Sequence, residues 1–280
     1  MAEHARTHTT YFYESWRAVT AGILETAGAT FLLTIAVKWF HAGAFEKGIV
    51  AGAGSLGLLV SPVVVSVVTA AGSRPSQAAS RILALGATAF LATALFPSRP
   101  LFIVCSVVAM ASSSAIIPLL THMYQENYPE QDRGRRFSRT VMLRIASAAL
   151  FAKIAGDALS NDLALFRWLF IVFAAALVFA SFCLARCPTH PILPDEGGHL
   201  LRALRFVRED ALFRRTLVCW MLMGFANLMM LPLRVEYLAN SKYHNRQAVS
   251  VAMIGNRLSV RRSAKAAWAG MMAFAACWRW

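Results

Sequence analysis

The sequence predicts an all-α protein, a polytopic transmembrane bundle of six helices followed by a seventh and a partial eighth, and three observations carry that reading. Hydrophobic residues make up 58% of the 280 and charged residues only 15%, against roughly 25% charged in soluble domains. Apolar runs recur at the length a bilayer demands, since a hydrocarbon core of about 30 Å takes roughly 20 residues at 1.5 Å each. Basic clusters alternate with short turns between those runs, as they do in loops on the two sides of a membrane.

The runs, in order, are Ala18 to Val37, Gly48 to Ala71, Gln77 to Phe96, Leu101 to Leu120, Thr140 to Ser160, Trp168 to Ala185 and Thr216 to Leu233. An eighth, Gln247 to Gly255, is too short to span alone. Glycines 48, 52, 54 and 57 in the second run read as a close helix contact, with Pro62 as a kink. Ser112, Ser113 and Ser114, just before Pro118, read chiefly as a packing surface and alternatively as a cavity lining. Asn227 reads equally as a functional polar group and as interhelical glue, His122 as an interfacial side chain ahead of a proton relay, and Arg234 with Glu236 most simply as a surface pair.

The connections set topology. Through Arg246, one side collects fourteen arginines, from Arg6 and Arg17 through the clusters Arg133 to Arg139 and Arg202 to Arg215. The other holds six cations: Lys38, Lys47, Arg99, Arg167, Lys242 and Arg246. The positive-inside rule then places the N-terminus in the cytoplasm, with the chain integral to a membrane, expected to be a bacterial inner membrane.

Five segments follow. Residues 1–16 are a polar cytoplasmic tail, 17–186 the six-helix bundle, 187–215 a cytoplasmic connector, 216–255 the start of a second bundle and 256–280 an atypical tail. In the connector Leu200, Leu201, Leu204, Val207 and Leu212 recur at helical spacing with Arg202, Arg205 and Arg208 between them, the pattern of a helix lying on the inner membrane surface. After Gly255 a stretch rich in Arg, Ala and Trp replaces the expected apolar continuation. We therefore expect a truncated or frame-shifted product whose last residues are not native to the fold.

Several functions are disfavoured. The net charge of +14 is spread through inter-helix clusters rather than gathered on one polar domain, so the lipid bilayer and not nucleic acid is its expected partner. Cys105, Cys183, Cys187, Cys219 and Cys277 lack metal or disulfide spacing and read as small apolar packers. The N-terminal apolar run is too long for a cleaved signal. No motif for zinc hydrolysis, a nucleophile elbow or nucleotide phosphates is present, so neither an enzyme nor a cofactor is expected, and no ATP-driven step.

Charges inside spanning helices cost at least about 2.5 kcal/mol each by insertion scales and must find protein, water or partners. Glu25, Arg144, Lys153 and Asp157 are the four that matter. Counted from the inner helix ends, Glu25 lies about 12 Å in, Arg144 about 8 Å and Lys153 about 21 Å, so Glu25 can reach either cation. One reading is a charge-lined cavity where Glu25 exchanges a proton or a salt bridge while a small solute binds. The other is a static ion pair joining two helices. Lys153 and Asp157, one turn apart, are a competing pair.

After the fourth run, Tyr128-Pro129-Glu130-Gln131-Asp132-Arg133-Gly134-Arg135-Arg136 resembles the acidic-then-Arg-Gly-Arg cytoplasmic loop common in the major facilitator superfamily. The loop after the second run, Gly72 to Arg81, keeps the basic ends of that family's Asp-Arg-x-Gly-Arg-Arg signature, but the acidic residue of a charge-relay gate is missing. The resemblance covers residues 17 to about 255. It implies a rocker-type carrier of two six-helix halves, of which this chain holds the first and the start of the second. It also implies secondary active or facilitative transport by alternating access, with the solute unknown and a proton as a coupling candidate. The alternative is a non-transporting assembly or structural subunit.

Overall fold

A computed structural model describes residues 2–192 and 208–239, all helical apart from turns. Six of the seven apolar runs fall, within a residue or so, on one continuous rod each, and the fourth, Leu101 to Leu120, falls on two helices that meet at Ile116. The first is a single rod in three parts: α1 (Ala2–Thr26), a π-helical turn (Ala27–Phe31) and α2 (Leu32–Lys38). At 1.5 Å per residue the rod is about 55 Å long, far more than a bilayer core needs. Its first turns therefore stand outside the core. Residues 2–16, expected as a polar tail, form the helical start of this rod, with Thr7, Thr10 and Glu14 buried.

Further along come α3 (Ala44–Ala70), α4 (Pro75–Leu95), α5 (Arg99–Ala115) and α6 (Ile117–Asn127). Then follow α7 (Glu130–Asn161), a 3-10 turn (Leu163–Leu165), α8 (Phe166–Ala185) and α9 (Ala211–Ala239). Among the described residues, Ala44–Ala70, Pro75–Leu95, Arg99–Asn127 and Leu163–Ala185 are long and apolar enough to cross a membrane. The chain is an all-α polytopic membrane bundle. Outward-facing Phe45, Leu59 and Trp168 suit lipid contact.

Local chemistry sets the turns. Ala71 ends α3 and Gly72 follows at φ +58°, a conformation in which a Cβ is strained. Ser73 N–H reaches Val68 O and Gly72 N–H reaches Thr69 O, which closes the helix in a Schellman motif. Pro75 then opens α4, where its missing N–H is harmless. Most of the stretch 72–81 is consequently helix, Arg81 included. At the far end of the bundle Glu46 accepts the Gly43 N–H at 2.7 Å and pairs with Arg99, fixing the start of α3 to that of α5.

Packing runs α7 on α1, α1 on α8, α8 on α4, α4 on α5 and α5 on α3. The centre is aromatic. Phe31, Phe90, Phe102, Phe166, Phe170 and Phe173 are fully buried, and the Phe90 ring lies 5.6 Å from both Phe170 and Phe173. Between helices in lipid such contact is van der Waals packing rather than escape from water. The glycine reading holds in part: a Cβ on Gly57 would meet the Ala111 backbone at 2.2 Å, whereas Gly48 and Gly52 face open space and Gly54 makes ordinary contact. Pro62 lies inside a continuous α3.

The Asp210 carboxylate accepts the N–H groups of Leu212 and Phe213, capping α9. This helix packs on α2 and α3. Asn227 on it is exposed, so it joins no helices among the described residues. Of the connector helix expected through Leu200 to Leu212, residues 200–207 lie outside the described residues and Leu212 falls on α9; the partial eighth helix and the tail 256–280 also lie outside them.

Candidate functional site

The first rod and α7 approach with almost no space between them. A Cβ on Gly22 would sit 2.2 Å from the Arg144 carbonyl oxygen and 2.1 Å from Ser147 Oγ. Ser147 in turn donates to the Val19 carbonyl at 3.0 Å. This contact brings Glu25, three residues on from Gly22 and so on the same face, to Arg144: Nε and Oε2 are 3.2 Å apart. Both side chains stay about half exposed, at 53% for Glu25 and 44% for Arg144.

Their exposed sides line a cavity of about 1020 Å³. Leu24 and Met110 form its apolar wall, with Ile117, Leu120 and Phe137. Ser113 and Ser114 also face it, while Ser112 is buried and donates to Ala109 O. Pro118 has no N–H to return to the Ser114 carbonyl, and the helix breaks at Ile116, between α5 and α6. On the first rod, just beyond Glu25, α1 passes into its π turn, a local widening that recurs at functional sites. Met110 lies so close to Gly28 that a Cβ there would meet its Cε at 2.4 Å.

Lys153 and Asp157 are exposed on α7 and do not line the cavity. Lys153 lies nine residues beyond Arg144, which is about 13 Å further along the axis and half a turn around it. Depth alone made it a partner for Glu25; azimuth removes it. Nor do Lys153 and Asp157 form an ion pair within 4 Å among the described residues.

The stretch read as a cytoplasmic loop motif is not a loop. Only Tyr128 and Pro129 turn; Glu130, Asp132, Arg133, Gly134, Arg135 and Arg136 form the opening turns of α7. Acidic groups there suit the helix N-terminus. Asp132 pairs along the helix with Arg136 at 3.5 Å and Arg135 at 3.8 Å. Glu130, Gln131, Arg133 and Gly134 also line the cavity, and Arg133 Nη2 donates to the carbonyls of Gln125 and Tyr128. Arg136 lies over the rings of Tyr11 and Tyr128, 5.4 and 5.9 Å from their centroids.

Along the cavity's lining, at Arg17 and Tyr124, sits a network that sequence reasoning missed. Arg17 grips Glu14 with two hydrogen bonds, Nε to Oε2 at 2.6 Å and Nη2 to Oε1 at 2.5 Å. The Tyr124 hydroxyl donates to the same carboxylate at 2.5 Å and accepts from Arg17 at 3.0 Å. Glu14 is 3% exposed and Arg17 14%. The one signal in the sequence is the Glu14/Arg17 spacing of three. Further out, Glu126 accepts from Arg6 at 2.7 Å and from the His190 N–H at 3.0 Å, so the end of α6 holds the start of α1 to the segment after α8. Near it, burial and then Glu14 push the Cys187 thiol up to about 12 and raise the Tyr128 phenol above its ordinary value.

The profile of the Major Facilitator Superfamily matches residues 18–278. The chain belongs to this superfamily. No match was found among curated proteins. The facilitator match covers all described helices beyond the opening of α1 and continues into residues 240–278, outside the described residues. Facilitator proteins are membrane transporters rather than enzymes, and this chain is an integral membrane protein of that solute-moving class.

Proposed function

We propose that this facilitator protein moves a small solute across the membrane by alternating access, with the cavity between α1, α5, α6 and α7 forming one wall of the route. The observation that carries the reading is the half-exposed Glu25–Arg144 pair lining that cavity. A charge pair kept wet inside a membrane bundle costs free energy that a closed apolar contact would not, and it is free to trade partners when a solute enters. Glu25 is then the group to exchange a proton if a proton gradient drives the cycle. The bias of arginines toward the end holding Arg6, Arg17 and Arg133 supports an N-terminus in the cytoplasm.

Site-specific labelling tests the cycle. With the native cysteines replaced by serine, a cysteine at Ser114 should react with a membrane-impermeant maleimide from either face of the membrane, depending on which state is populated. Protein in liposomes should also show saturable counterflow, weakened by Glu25→Gln. Reaction from one face only under all conditions, together with no counterflow, would overturn the proposal in favour of a non-transporting membrane subunit.

A further inference from the structure

Resting on that reading, we infer that the cavity takes a zwitterion: a solute with an ammonium and a carboxylate close together and an apolar tail. The charges around the cavity decide this. Arg17 is paired with the Glu14 carboxylate and bonded to Tyr124, and Arg133 is tied through Nη2 to the backbone carbonyls of Gln125 and Tyr128. Glu130 lines the cavity from the first turn of α7, where the helix N-terminus offsets its charge. The pair that remains half exposed inside is Glu25 and Arg144.

An anion approaching Arg144 meets the Glu25 carboxylate 3.2 Å away, and a cation approaching Glu25 meets the guanidinium at the same distance. A singly charged solute therefore leaves one member of the pair facing a like charge or stripped of its partner, which Coulomb repulsion at about 3–4 Å disfavours even in a partly wet cavity. A zwitterion satisfies both at once, its ammonium on Glu25 and its carboxylate on the outer nitrogens of Arg144, forming a closed ring of four alternating charges. Its tail then meets the wall of Leu24, Met110, Ile117, Leu120 and Phe137.

Three probes of one shape separate the possibilities: L-phenylalanine, 2-phenylethylamine, which lacks the carboxylate, and 3-phenylpropionate, which lacks the ammonium. Equilibrium binding and thermal unfolding are measured on the full chain in detergent. Phenylalanine should bind at least tenfold tighter than either analogue. Glu25→Gln should abolish that preference and raise the relative affinity for phenylpropionate, Arg144→Gln should do the same for phenylethylamine, and the exchange Glu25→Arg with Arg144→Glu should restore phenylalanine binding. Should a single variant fail to fold, the other and the wild-type ranking still decide. Equal binding of all three probes, tighter binding of a singly charged one, or no binding of phenylalanine overturns the inference. Phenylalanine binding without flux upholds the ligand class and removes the carrier reading; flux of another solute without phenylalanine binding removes the ligand class alone.

Discussion

Gly22 of α1 rests against the carbonyl oxygen of Arg144 on α7, at a separation no side chain can share: an added Cβ would lie 2.2 Å from that oxygen. The obstacle is helix backbone, which cannot swing aside as a side chain would. Gly22→Ala should therefore push the helices apart, at about 1–3 kcal/mol. Gly48→Ala, facing open space, should change stability by less than about 0.5 kcal/mol. Thermal unfolding of the two variants in detergent checks the contrast, and equal effects would rule out the close contact as the cause.

The Glu14–Arg17–Tyr124 network should be the most sensitive polar group at the arginine-rich end. Glu14→Ala leaves a buried guanidinium without its carboxylate, at about 3 kcal/mol or more. Tyr124→Phe removes one hydrogen bond and should cost about 1–2 kcal/mol. Because all three groups touch, the double variant should lose markedly less than the sum. Unfolding midpoints for the cycle measure this directly.

The Glu25–Arg144 pair should behave in the opposite way. Both groups are about half exposed, so screening holds the stability effect of Glu25→Gln below about 1 kcal/mol, while solute flux falls at least tenfold. Lys153→Gln, outside the cavity, should leave flux within about twofold. A large flux defect at Lys153 would return that lysine to the site.

Thiol labelling tests burial and titration together. Cys187 is 4% exposed and its thiol is pushed up to about 12, so between pH 7 and 9 it stays protonated and poorly nucleophilic. With the other four cysteines replaced, N-ethylmaleimide should fail to modify folded protein across that range and react at once after denaturation. Rapid labelling of the native state that climbs with pH around 8 to 9 would indicate an ordinary, open thiol.

The helices were legible because bilayer thickness imposes one length on every span, and an uncharged apolar run such as Leu101 to Leu120 suits little besides a crossing of that thickness. Glu25 and Arg144 were legible for a related reason: a charge in such a run must meet something at its own depth. Depth is one coordinate of two, however. Lys153 satisfied the count from the helix end and failed on the angle around α7, which a sequence reveals only once the neighbouring faces are known. Glu14 escaped notice because it lies in a polar stretch where charges are ordinary; what buries it is Tyr124, 110 residues away. The stretch from Glu130 to Arg136 was placed in the right region but given the wrong state, since Pro129 starts α7 well before its apolar part begins.

The π turn at Ala27–Phe31 divides the first rod into two lengths with different allegiances. Beyond it, Leu32 to Ala36 are locked in the buried core; before it, Gly22 and Glu25 belong to α7. The rod thus changes neighbours at the turn: the length before it carries Glu25 to Arg144 on α7, and the length after it lies in the same buried cluster as the phenylalanines.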